Sequence, residues 1–304
     1  MTQAPERIPY RYPLILLLVT VAWGMTFPVL KVATGVLSGV EVTTLRFCIA
    51  AACMLPFVRG ISFAAWRDGF WLGALALFSM AAQAYGLQFI ASNRSAFLTS
   101  LNVLMVPLLG LLLGGRPSWL IFVAAALACL GIGMMSYDGE AHLLADAATL
   151  FAALAYAVYT MGMSARARLH KAVQLAAAQV WCMAAMGLVW MLLDSGPARV
   201  LSLPAVINLE VWLGLLFLGA LASAATFFLQ ALAQTHVSAE QAAIIYAMEP
   251  VFAALFAWVY LAEVMAPMAQ AGAVVVVAAV VLSQRPQASK AGSDEPVNAY
   301  PPPK

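Results

Sequence analysis

The amino-acid sequence predicts an all-α polytopic membrane protein with ten transmembrane helices arranged as two inverted five-helix repeats. Three observations carry that prediction. Residues of the AVILMFWYC set supply 64% of the 304 residues and charged residues only 9%, against about 25% charged residues in soluble domains. Too few charges remain to coat a globular surface. The apolar residues are gathered in stretches of about 20, the length a helix needs to cross about 30 Å of hydrocarbon. Short motifs in the first half also recur in the second half at matched spacing.

In chain order the apolar segments are 14–30, 42–58, 70–91, 96–114, 118–136, 147–163, 173–193, 211–233, 239–261 and 266–283. Charge, Pro or Gly bounds each of them. The first follows Arg7 and Arg11 with no small-residue cleavage site behind it, so it reads as a span and not as a removed signal. Arg46 is the single charge in the second segment, and the third opens at Trp71-Leu72-Gly73 behind Arg67 and Asp68. The fourth is short and stops at Gly114-Gly115-Arg116, and the fifth begins after Pro117. Asp146 precedes the sixth, which ends before the cluster Arg166, Arg168 and Lys171. The seventh ends at Asp194, and 194–210 reads as the only long loop. Trp212-Leu213-Gly214 opens the eighth, the ninth holds Glu249-Pro250, and the tenth ends before Arg285. The tail 286–304, rich in Pro, Ser and Ala and ending Pro-Pro-Pro-Lys, is expected to be disordered.

Cations in short loops set the orientation. A cytoplasmic N-terminus places Arg7, Arg11, Arg59, Arg67, Arg116, Arg166, Arg168, Lys171, Arg285, Lys290 and Lys304 inside, and only Lys31, Arg94 and Arg199 outside. Residues 1–12 and 286–304 are therefore both expected in the cytoplasm of a bacterial-type inner membrane. The net charge of +2, spread thinly, makes no nucleic-acid footprint. Cys48, Cys53, Cys129 and Cys182 lie inside apolar runs and read as packing residues.

The repeat is legible in the motifs. Trp71-Leu72-Gly73 matches Trp212-Leu213-Gly214; Ser95-Ala96 with Pro107 eleven residues after the Ala matches Ser238-Ala239 with Pro250 at the same spacing. Ala22-Trp23-Gly24 similarly matches Ala155-Tyr156-Ala157. The halves are 13–140 and 141–285, with five segments each. An odd number of crossings inverts the second half, the plan of secondary transporters whose substrate site lies near the midplane between repeats.

The runs Trp23-Gly24-Met25-Thr26-Phe27, Leu45-Arg46-Phe47, Ser95 to Leu101 through Pro107-Leu108-Leu109, and Ala247-Met248-Glu249-Pro250-Val251-Phe252 to Glu263 resemble the EamA group of the drug/metabolite transporter superfamily. The resemblance covers about residues 12 to 284. It implies ten helices from a five-helix duplication, cytoplasmic termini and export of small organic metabolites, in some members amino acids.

Ionisable groups inside spans are costly and are functional candidates by default. Glu249 sits ten residues into its segment, about 15 Å along a helix and near mid-bilayer. Pro250 removes a backbone donor behind it, in the manner of broken cavity-lining helices. Pro107 mirrors Pro250, so both prolines read as architectural. The counterpart of Glu249 is Val106, so the architecture does not require an acid there. Glu249 is therefore the coupling candidate, with a buried structural carboxyl as the other reading. Arg46 either snorkels to the headgroups or anchors a substrate carboxylate.

Polar stripes at helical spacing supply the cavity candidates: Ser79 and Gln83; Thr99 and Asn102; Tyr156, Tyr159 and Thr160; Ser223, Thr226 and Gln230; and Tyr246, with Trp23 and Phe27 as aromatic wall. Interhelical hydrogen bonding is the competing use of such residues. Gly69-x-x-x-Gly73 and Gly110-x-x-x-Gly114 are helix-contact motifs too weak to predict a dimer, so a monomer or weak homodimer is expected.

No nucleotide-binding Gly-x-x-x-x-Gly-Lys-Ser/Thr loop, zinc-type His-Glu-x-x-His or Gly-x-Ser-x-Gly turn occurs, and His142, His170 and His236 all fall in predicted loops. No enzyme activity, cofactor or metal is expected, and the partners are the lipid bilayer and a small-molecule substrate. The sequence thus points to a secondary transporter exporting small organic metabolites, foremost neutral or aromatic amino acids. A multidrug or lipophilic-cation exporter is the alternative, and an intramembrane enzyme a remote one.

Overall fold

The computed structural model describes residues 9–87, 89, 95, 98–115, 117–136, 143–261 and 267–283. The sequence readings at Arg7, Arg94, Ala96, Phe97, Arg116, Ala141, His142, Glu263, Arg285 and the tail 286–304 fall outside them, as does the side chain of Phe27. Every described element is helical. The helices are α1 (Arg11–Gly24), α2 (Thr26–Thr34), α3 (Gly39–Met54), α4 (Phe63–Leu87), α5 (Asn102–Leu112), α6 (Trp119–Ser136) and α7 (Leu143–Arg166). They continue with α8 (Ala172–Asp194), α9 (Gly196–Val206), α10 (Leu209–Leu216), α11 (Thr226–Ala233), α12 (Ala239–Tyr246), α13 (Glu249–Leu261) and α14 (Pro267–Ser283).

Among the described residues, six helical stretches are long and apolar enough to cross a membrane: Arg11–Thr34, Gly39–Phe57, Leu143–Arg166, Ala172–Asp194, Leu209–Ala233 and Ala239–Phe256. Three shorter apolar helices, Leu98–Leu112, Trp119–Met134 and Gln270–Ser283, fall in the fourth, fifth and tenth predicted segments. The third segment is the 25-residue α4, whose Arg67, Asp68, Ser79 and Gln83 dilute its apolar character.

Local chemistry explains several boundaries. Ser38 and Glu41 form a reciprocal capping box that starts α3, and the Asn208 and Ser238 side chains cap α10 and α12. The first segment breaks at Met25, where the Thr26 hydroxyl donates to the Trp23 carbonyl at 2.6 Å. The ninth breaks at Ala247–Met248, because Pro250 has no N–H to offer the Tyr246 carbonyl. Glu249 consequently opens a fresh helix, in the first turn where exposed N–H groups favour a carboxylate. Pro107, by contrast, lies inside the continuous α5. The eighth segment carries a π-helical stretch, Phe217–Ala225, between α10 and α11.

Two sequence expectations change. The stretch 194–210 is not a plain loop. It folds into α9, because Val200, Leu203 and Ile207 at helical spacing join an apolar cluster with Val211 and Leu215. Gly110-x-x-x-Gly114 is no helix face either, since α5 ends at Leu112 and Gly114 turns with φ of 82°. Gly69-x-x-x-Gly73, by contrast, is a contact face. A Cβ on Gly69 would lie 2.6 Å from the Ala178 Cβ, and one on Gly73 2.8 Å from the Gln179 carbonyl, which lets α4 pack directly on α8.

The helices of the two sequence halves interleave. α3 packs on α8 and the π stretch, α4 on α7 and α8, α1 on α11, α12 and α13, and α6 on α14. Ahead of the predicted third span, Asp68 ties α4 to the α7–α8 turn. Its carboxylate, 5% exposed, receives His170 Nε2 at 2.9 Å and pairs with Arg67 at 3.2 Å and Arg166 at 3.6 Å. Burial raises the carboxyl pKa, but the His170 hydrogen bond and the two arginines outweigh it and hold the group below the ordinary Asp range. A depressed folded-state pKa gives stability that is present above the unfolded pKa and is lost as pH falls through the folded one. Thermal unfolding in detergent should therefore show a destabilising acid limb below about pH 4. Asp68→Asn should lower Tm at neutral pH and flatten that limb, and an unchanged limb would assign the acid sensitivity elsewhere.

Candidate functional site

Arg46 projects from α3 toward the π stretch. Its Nε donates to Ser223 Oγ at 3.0 Å and its Nη2 to the Ala222 carbonyl at 3.2 Å. The approach is close because residue 219 is Gly: a Cβ there would meet the Ile49 Cβ at 2.6 Å and the Arg46 carbonyl at 2.8 Å. At 6% exposure Arg46 is turned inward, so of its two sequence readings the snorkelling one does not match its position. Partners on the π stretch hold the guanidinium away from the helix end.

Arg46 and Glu249 line one cavity of about 580 Å³. That volume suits a small organic molecule. Trp23, Tyr156 and Tyr246 form an aromatic wall, with ring centroids 6.0 Å apart for Trp23–Tyr156 and 5.2 Å for Trp23–Tyr246. Ser79, Gln83, Thr99 and Asn102 form a polar one. Gln83 Nε2 donates to Thr99 Oγ1 at 3.1 Å, and Ser79 Oγ to the Ala152 carbonyl at 2.9 Å. The Tyr156 and Tyr246 hydroxyls are buried without a well-formed hydrogen bond among the described residues.

Five cavity candidates from the sequence stand behind this wall and not in it. Tyr159 donates to Gln230 Oε1 at 3.0 Å, and Thr226 Oγ1 receives Trp23 Nε1 at 3.2 Å. Thr160 gives its hydroxyl to the Tyr156 carbonyl at 2.9 Å, and Ser223 supports Arg46. Tyr159, Ser223, Thr226 and Gln230 thus bond to neighbouring helices as hydrogen-bonding glue, whereas the Thr160 hydroxyl bonds within α7.

The sequence reading missed the opposite end of the cavity, where Thr26, Leu30, Thr34, Leu37, Ser38, Gly39, Val42 and Thr43 contribute. A signal was present. Gly39, Val42, Thr43 and Arg46 recur at i, i+3, i+4 and i+7, one face of a helix. Beside that end Arg199, from α9, donates to Glu41 at 2.9 and 3.3 Å and to the Val36 carbonyl at 3.3 Å. It thereby fixes the turn that rims the cavity.

The model of the EamA-like transporter family matches the chain twice, over residues 11–137 and 143–284. An uncharacterized transporter of Archaeoglobus fulgidus is 30% identical over 278 residues, covering 88% of this chain and 83% of that protein. A crystal structure of another protein, 17% identical, shares the fold at a TM-score of 0.74, covering 90% of this chain and 97% of that one. The doubled match, together with the relative that spans most of the chain, shows that this multi-pass membrane protein belongs to the EamA-like transporter family.

Proposed function

We propose that the chain is an inner-membrane secondary transporter that exports small organic metabolites, foremost neutral or aromatic amino acids, by alternating access. The observation that carries the reading is the cavity. One base from the first half, one acid from the second and three aromatic rings enclose a volume suited to a small zwitterion. A phosphorylated solute would call for several cavity cations, and Arg46 is the only one among the described lining residues. The solute's carboxylate would sit at Arg46, and Glu249 would take part in coupling.

In this reading the halves 13–140 and 141–285 are inverted five-helix repeats making ten crossings, and both termini are cytoplasmic. The twofold family match supports the duplication. With that orientation the cavity faces outward, because it extends from Tyr156 and Glu249 to the α2–α3 turn. The other side is closed by Tyr12 stacked on His236 at 3.8 Å and by Gln234 donating to Ser164 at 3.0 Å.

Proteoliposomes loaded with single solutes test the function. Exchange of a labelled aromatic amino acid is the expected result. Movement of a lipophilic cation with no amino-acid transport would replace the reading with multidrug export. In cells, cysteines placed at Ser118, Ala165 or Ala288 should resist impermeant outside reagents, and one at Ala141 or Ser202 should react. Outside labelling at Ala165 would remove the ten-crossing arrangement.

A further inference from the structure

The π-helical stretch Phe217–Ala225 interrupts an otherwise regular membrane helix, and such insertions commonly mark functional positions. Its widened turn does something specific here. Ser223 Oγ donates back to the Leu218 carbonyl at 2.8 Å, which orients the oxygen lone pairs to receive Arg46 Nε at 3.0 Å. The adjacent Ala222 carbonyl takes Arg46 Nη2 at 3.2 Å. The same carbonyl accepts the Thr226 hydroxyl at 2.9 Å, and Thr226 in turn holds the Trp23 indole N–H at 3.2 Å. One backbone irregularity thus orients both the base and one ring of the aromatic wall. Neither Ser223 nor Thr226 lines the cavity.

A guanidinium has five N–H groups in a rigid fork. Two of them are committed to the π stretch, so three remain on a side chain that lines the cavity. Fork geometry matches a carboxylate bidentately, whereas a freely rotating Arg would lose that match. We infer that the π stretch is a positioning device and Ser223 a positioning residue: it presents the free edge of Arg46 to the carboxylate of the transported solute and so sets the preference for carboxylate-bearing over carboxylate-free solutes. This rests on the cavity being the transport site.

The test uses the full-length protein in proteoliposomes with phenylalanine and its decarboxylated analogue phenethylamine as probes. Ser223→Ala should raise KM for phenylalanine relative to phenethylamine by about tenfold, the size of one hydrogen bond to a charged group. Ser223→Thr, which keeps the hydroxyl, should restore most of that ratio. Because the analogue is measured on the same protein, a variant that is merely misfolded moves both solutes alike. An unchanged ratio in Ser223→Ala, or no recovery in Ser223→Thr, overturns the positioning role. Arg46→Gln separates the two levels of the argument. If it collapses the ratio while Ser223→Ala does not, only the positioning role fails. If Arg46→Gln leaves phenylalanine transport untouched, the assignment of the cavity as the carboxylate site fails with it.

Discussion

Gly219→Val is expected to be among the most damaging single substitutions in the chain, lowering Tm in detergent by about 5 to 10 °C and cutting the yield of monodisperse protein severalfold. The expectation follows from what surrounds the position. Even the Cβ of an alanine would lie 2.6 Å from two atoms of Ile49 and 2.8 Å from the Arg46 carbonyl oxygen. The obstructing oxygen is backbone, in the middle of α3, and cannot swing aside as the end of a flexible side chain would. Relief requires α3 and the π stretch to separate, which also pulls Arg46 from Ser223 and Ala222. A matched control is Gly110→Ala in α5, where the added carbon meets Glu240 Oε1 at 3.4 Å and Pro117 Cγ at 3.7 Å, ordinary contacts. That change should be neutral or stabilising by up to about 1 kcal/mol, because Ala restricts the unfolded chain. If both variants melt alike, the close approach of α3 to the π stretch is not what holds this region together.

The contrast between these glycines shows what the sequence could and could not reveal. Helix positions were legible because a bilayer sets one length scale, and every apolar segment with described residues is helical. Arg46 and Glu249 were legible as isolated charges in apolar runs. That they share a cavity was not, since 203 sequence positions separate them and the packing of α13 against α1 and α2 is a tertiary feature. Ser223, Thr226 and Gln230 were legible as polar residues at helical spacing, but composition cannot tell whether such residues meet a solvent-filled space or a neighbouring helix. The π stretch itself was invisible. Phe217–Ala225 is a run of Ala, Leu, Gly, Ser and Phe with no Pro, and only its tertiary partners show why the widened turn persists. For α9 the misreading had a plainer cause. Its Pro204 and its opening Gly196-Pro197 look like loop punctuation, yet Gly196 starts the helix at φ of 77° and the apolar Val200, Leu203 and Ile207 dock on the body.

Glu249→Gln should keep solute binding and downhill exchange yet lose acceleration of transport by an imposed pH gradient. If the chain is the secondary transporter proposed above, its drive is a solute gradient, a proton gradient or both. A proton carrier must sit where solute also passes, and Glu249 is the only acid among the described residues that line the cavity. Its backbone position is the first turn of α13, behind the break at Ala247–Met248. Among the described lining residues, Arg46 supplies the one opposing charge. Moving one elementary charge across the membrane is worth about 2.3 kcal/mol per 100 mV, so a protonation change at this depth links transport to the gradient. Gln has the size of Glu and most of its hydrogen bonds but cannot release a proton, which separates shape from titration. In the sequence repeat the counterpart of Glu249 is Val106, fully buried in α5. The measurement is counterflow and pH-jump uptake in proteoliposomes containing parent and variant at equal density. A variant that answers the pH jump as the parent does would make Glu249 a structural carboxyl beside Arg46, and the protein a facilitator driven by the solute gradient alone.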